Sequence, residues 1–217
     1  MTTSSVRHFV TGLFGVLFML SPLAASATVE QEWRFRVFLD DREIGRHYFT
    51  LTQTENNERL ATQANFNVTF LKIPFFKYRH DNVEYWNNNC LARIDSSTDQ
   101  NGKQFVVEGV ATEDGFLVNT NSGEQKLPAC ISTFAYWDKS FLNENRLLNS
   151  QTGEYLNVEV NYLGENTFTV GETTVPAHHY RLTADKLDIE VWYSQDDRWL
   201  ALQSTTEGGR RLRYIAE

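Results

Sequence analysis

Apolar and polar residues alternate with a period of two along much of this chain, and that rhythm restricts it to sheets with one dry face and one wet face. Trp33, Phe35, Val37 and Leu39 alternate with Arg34 and Arg36. Leu60, Ala64, Phe66, Val68 and Phe70 share a face opposite Gln63, Asn65 and Asn67, and Leu156, Val158, Val160 and Tyr162 share one opposite Asn157, Glu159 and Asn161. Turn pairs punctuate the runs: Asn101-Gly102, Asp114-Gly115, Ser122-Gly123, Gly164-Glu165, Gly171-Glu172 and Gly208-Gly209. Turns this close together favour hairpins joined in sequence over strands linked by helices. The expected fold class is therefore all-β and mainly antiparallel, a strongly curved meander closing into a barrel or half-barrel.

The first 27 residues stand apart from that pattern. Arg7, the uncharged apolar run Phe9–Leu20 and the small residues Ala25-Ser26-Ala27 form the three parts of a secretory signal. The apolar run is shorter than the roughly 20 residues of a membrane span. Cleavage near Ala27 leaves residues 28–217 as a single domain in the periplasm or outside the cell, with no transmembrane span expected in the mature protein. The full chain has a formal charge of −8, which becomes −9 when Arg7 is removed with the signal. Broad attraction to nucleic acid is disfavoured.

Cys90 and Cys130 are the two cysteines, both beyond the signal. In an exported chain they read as a disulfide, and closing a loop of roughly 40 residues is worth roughly 3–4 kcal/mol. A redox pair would need the close Cys-x-x-Cys spacing.

One stretch breaks the alternation. In "ACISTFAYWDKSFL" (129–142), Phe134, Trp137 and Phe141 recur at a helical spacing, and Ser132 or Thr133 is available as an N-cap. A short helix or pair of helical turns is predicted over 133–142. It is read first as a plug over the apolar concave face and second as a lid.

Chemistry-bearing motifs are sparse. His178 and His179 are strand neighbours and point to opposite faces, which disfavours a shared metal, and no His-x-x-x-His spacing occurs. A turn centred on Ala184-Asp185 sets Arg181 opposite Asp188 and His179 opposite Glu190. That is an acid–base cluster on one reading and a solvated cross-strand ladder on the favoured one. Arg210, Arg211 and Arg213 read as an anion grip or as the charges of a last, edge strand. No hydrolase elbow or phosphate loop is present, so no catalytic residue, cofactor or metal is expected.

The segments "RVFLDDREIGRHYFTL", "FKYRHDNVEYWNNNCLARIDSSTDQNG", "TFAYWDKSFLNENRLLNSQTGEYLNVEV" and "VWYSQDDRWLALQS" resemble an uncharacterised family of secreted bacterial domains of unknown function. In architecture the chain is also similar to the curved sheets of periplasmic lipoprotein carriers. The resemblance implies a β-rich fold and a bacterial envelope setting, and no activity. Three functions remain in view. The first is a non-catalytic module binding or carrying an apolar or lipid-like ligand, with Phe75, Phe76, Tyr78, Tyr136, Trp137 and Trp192 as wall and lid residues. The others are an envelope assembly partner without a small ligand and an enzyme with an unrecognised site.

Overall fold

In the computed structural model the alternating runs become strands, over described residues 29–54, 57–70, 73–170, 173–206 and 208–217. The signal segment, its cleavage point and the Gly171-Glu172 pair lie outside them. The chain forms β1 (Val29–Leu39), β2 (Arg42–Gln53), β3 (Glu58–Phe70), β4 (Ile73–Asn87), β5 (Cys90–Gln100), β6 (Lys103–Thr112), β7 (Gly115–Thr120) and β8 (Gly123–Leu127). A covering segment follows, with β9 (Ser132–Thr133), a 3₁₀ turn (Lys139–Asn143), β10 (Arg146–Leu148) and β11 (Tyr155–Asn157). The chain then returns through β12 (Glu159–Val170), β13 (Thr173–Ala184), β14 (Leu187–Ser194), β15 (Trp199–Thr205) and β16 (Arg211–Ala216).

Thirteen strands make one sheet in the order β12-β13-β14-β15-β16-β1-β2-β3-β4-β5-β6-β7-β8, with every neighbouring pair antiparallel. The meander is open: its edges are β12 and β8, and the covering segment connects them. That segment carries a separate three-stranded sheet, β11-β10-β9. One apolar cluster runs from Phe116 and Val118 on β7 through Phe35 and Val37 on β1 to Val191 and Tyr193 on β14, and takes in Ile131, Phe141, Leu147 and Leu148 of the cover. All ten are at most 2% exposed, so the cover completes the core.

Several local expectations change. Residues 133–142 form no α-helix. Thr133 is extended in β9, and the five-residue 3₁₀ turn starts later, capped by Asp138, whose carboxylate accepts from the Ser140 backbone N–H at 3.0 Å. The Cys90–Cys130 disulfide is present, and beside it the Leu91 N–H donates to the Ile131 carbonyl at 2.9 Å. The segment is thus stapled to β5 in extended form before the turn begins. Gly164, at φ 109°, follows the bulged Leu163 inside β12 and is not a turn. The predicted strand 156–162 is split: β11 ends at Asn157, Val158 donates to the Asn145 carbonyl, and β12 begins at Glu159.

The last strand is not an edge. β16 lies between β15 and β1, and the arginines in and just before it grip the Asp40-Asp41 turn, with Arg210 Nε 2.9 Å from Asp40 Oδ2 and Arg213 Nη2 3.1 Å from Asp41 Oδ1. The β13–β14 hairpin turns at Asp185-Lys186, so Arg181 faces Glu190 and Thr183 faces Asp188, two positions off the expected register. The expected ion pairs survive as diagonals. Arg181 holds Asp188 through two bonds of 2.8 and 2.7 Å, and His179 Nε2 lies 2.8 Å from Glu190 Oε2.

Candidate functional site

Strand β4 turns an unusual set of side chains inward. Its alternation sends Arg79 and Asp81 to the wet face, while His80, Asn82, Glu84 and Trp86 point into the molecule at 2–4% exposure. Register carries this polarity across the neighbouring strands. Thr62, Asn82 and Ser96 form one row over β3, β4 and β5, and His47, Ala64, His80 and Thr98 form the next over β2 to β5. A polar band therefore crosses an otherwise apolar inner face.

The buried acid sits where the cover meets the band. Glu84 Oε1 accepts from Asn82 Nδ2 at 3.0 Å, and Oε2 accepts from Trp86 Nε1 at 3.1 Å and from the Thr133 hydroxyl of β9 at 3.2 Å. Burial raises its pKa, and the three hydrogen bonds oppose that rise without cancelling it. Burial also lowers His80 to about 4, against a smaller opposing pull from Asp81, and its Nδ1 pairs with Thr98 Oγ1 at 2.8 Å. His47 is held well below the usual imidazole value by burial and then by His80, and its Nδ1 lies 3.2 Å from the Tyr214 hydroxyl. At neutral pH both imidazoles are uncharged.

Between this band and the cover lies a cavity of about 200 Å³, where a single water needs roughly 10–15 Å³. His47, Thr62, His80, Asn82 and Glu84 supply polar groups on one side, flanked on the same strands by Phe49 and Leu60; the facing side, from β14 to β16, is mainly apolar, with Leu187, Ile189, Leu202 and Leu212 beside Ser204. Four buried atoms on its lining residues have no hydrogen-bond partner: His47 Nε2, Thr62 Oγ1, Asn82 Oδ1 and Trp137 Nε1. Thr62 and Asn82 are each only 4% exposed. Unpaired polar atoms are costly in a dry interior, and their concentration on the residues around this cavity marks it as a polar-edged space.

A second, open cleft of about 740 Å³ lies on the other side of Trp137. Leu51, Leu142, Val160, Tyr162 and Tyr180 supply its apolar surface, and Lys139, paired with Asp197 at 2.5 Å, stands on its rim. Trp137 lines both spaces, packed edge-on against Trp86 with ring centres 5.8 Å apart.

The six aromatic residues picked out in the sequence fall into separate places. Tyr136 and Trp137 meet at the cavity, and Tyr136 is anchored by the Tyr193 hydroxyl donating to its carbonyl at 2.8 Å. Tyr78 stacks on Phe66 at 5.2 Å, with Phe76 beside it, and neither lines either space. Trp192 lies on the opposite face of the sheet, stacked on His179 at 4.3 Å and near Phe168. The side chain of Phe75 lies outside the described residues. The polar band escaped the sequence reading, although a signal was there: "HDNVE" (80–84) places His, Asn and Glu on one face at period two, and Thr62 interrupts the apolar stripe of β3. Among the described residues, no three His, Cys, Asp or Glu side chains are grouped to hold a metal.

A family model described as "Domain of unknown function (DUF6134)" matches residues 35–217. No curated protein matches the chain. Among solved structures, the fold is similar to a Brucella abortus protein titled a beta-barrel-like protein of domain of unknown function DUF1849. The TM-score is 0.65 at 7% identity, over 86% of this chain and 94% of that one. At that identity the likeness is one of fold alone.

Proposed function

Since the chain belongs to the DUF6134 family, whose description assigns no activity, we propose from the geometry that it is a non-catalytic binding module of the bacterial envelope. It holds an apolar, lipid-like molecule in the concave face of the sheet. The observation that carries this reading is the paired space around Trp137: an inner cavity roofed by the cover, and a cleft of mixed polar and apolar lining that opens outward from the same side chain. Binding sites of this kind are concave and largely apolar, with a few convergent polar groups that fix orientation. The uncharged state of the cavity's imidazoles suits a host that orients a ligand rather than one that exchanges protons with it at neutral pH.

Native mass spectrometry of protein purified from the periplasm of its own host tests the reading. A retained adduct is expected, and it should be lost in a Trp137→Ala variant that remains folded. A bare protein mass, combined with no binding of the apolar fluorophore N-phenyl-1-naphthylamine, would overturn it.

A further inference from the structure

We infer that the inner cavity selects the ligand by its head group, and that this head is uncharged and carries a hydroxyl or amide. The inference rests on the binding-module reading and adds the chemistry that the site recognises. The argument begins with charge: among the described residues no lysine or arginine lines the cavity, and its ionisable side chains are His47, His80, Glu84, Tyr136 and Tyr214. A carboxylate or phosphate drawn inside would be desolvated without a counter-ion, next to a carboxyl group. An ammonium would find one buried carboxyl whose two oxygens already accept from Asn82, Trp86 and Thr133.

Hydrogen-bonding capacity narrows the class further. Thr62 and Asn82 are direct cross-strand partners that line the cavity, and each has a buried oxygen with no hydrogen-bond partner, one able to donate or accept and the other only to accept. A hydroxyl or primary amide donates and accepts through adjacent atoms and satisfies both. His47 Nε2, on a residue of the same wall, likewise has no partner, while its Nδ1 is engaged by Tyr214. The facing leucines and Ile189 receive the first carbons of the tail. The rest of the tail leads past Trp137, the side chain common to cavity and cleft.

Three probes with the same ten-carbon tail separate the possibilities: decan-1-ol, decanoate and decylamine, titrated at neutral pH by calorimetry into the intact protein and into Thr62→Val. Decan-1-ol should bind at least about tenfold more tightly than either charged probe. Thr62→Val should weaken decan-1-ol about five- to tenfold, the worth of one hydrogen bond, and leave the other two unchanged. The variant removes an unpaired hydroxyl without changing shape, so its thermal midpoint should hold or rise, which separates a lost ligand contact from a damaged fold. Equal binding of the three probes, tighter binding of either charged one, or an unaltered decan-1-ol affinity in Thr62→Val overturns the head-group assignment while the binding module stands. If none of the three binds, the binding-module reading falls and takes the assignment with it.

Discussion

Between pH 6.5 and 4 the buried imidazole of His80 works against the fold. In the unfolded chain it takes up a proton as pH falls through 6.5, whereas the folded protein resists protonation down to about 4. The unfolded state binds more protons across that window, so stability is lost as pH falls, by roughly 3 kcal/mol at pH 4. His47, lowered in the same way, adds to the loss. Glu84 has the opposite sign: its raised pKa keeps a proton in the fold that the unfolded carboxyl gives up near 4.5, so its contribution declines as pH rises above 4.5. Replacing His80 by Gln keeps a partner for Thr98 and removes one titration. Urea denaturation from pH 7 down to 4 should show a shallower fall in stability for His80→Gln than for the parent. An equally steep fall would mean that the imidazole is not the cause.

The covering segment is where sequence and structure part most clearly. Phe141 is 2% exposed in the common core, while Trp137 is half-buried between two spaces. Phe141→Ala should therefore cost about 3–5 kcal/mol. Trp137→Ala should cost less, because part of its surface already faces cavity or cleft. Chemical denaturation of both variants checks the order; a Trp137 loss equal to or above that of Phe141 would make the whole segment a fixed plug. The spacing of Phe134, Trp137 and Phe141 looked helical, yet the same spacing arises here where a short strand runs through a turn at Tyr136-Trp137 into the 3₁₀ turn. What selects the extended form is remote in sequence: the bond to Cys90, and Thr133 reaching Glu84. In the β13–β14 hairpin, alternation was enough to put His179, Arg181, Asp188 and Glu190 on one face, because face depends on period alone. Their register depended on where the turn fell, and Asp185 takes the positive φ of 44° that places it. A slip of two preserves the face, which is why the ion pairs were legible and the partners opposite were not. The polar band was hidden for a different reason. A strand with charged and polar residues on both faces has no dry side to read, and only the neighbouring strands reveal which face is buried.

At the scale of the whole molecule, the pairing of β1 with β16 in the middle of the sheet joins two arms: β1–β8 on one side and β12–β16 on the other. Five register pairs, Phe35–Ala216 to Leu39–Leu212, make that seam, and the side chains of Phe35 and Tyr214 meet across it with ring centres 5.9 Å apart. Removing residues 211–217 should unfold both arms together, since it takes away one side of the seam and bares the hydrogen-bonding edge of β1 next to a buried aromatic cluster. Circular dichroism of the truncated chain checks this: retention of the parent's strand signal and melting midpoint would show that the arms stand independently. The same seam sets a schedule for biogenesis. As the chain emerges in order, β1 to β8 can pair with one another early, but the outer edge of β1 must wait for β16, which is made some 170 to 180 residues later. Throughout that interval the nascent arm carries an open, apolar-flanked strand edge of the kind that recruits other chains. The product is thus exposed to misassembly for most of its own synthesis, and the molecule most in need of a holding chaperone is the one that lacks only its last strand.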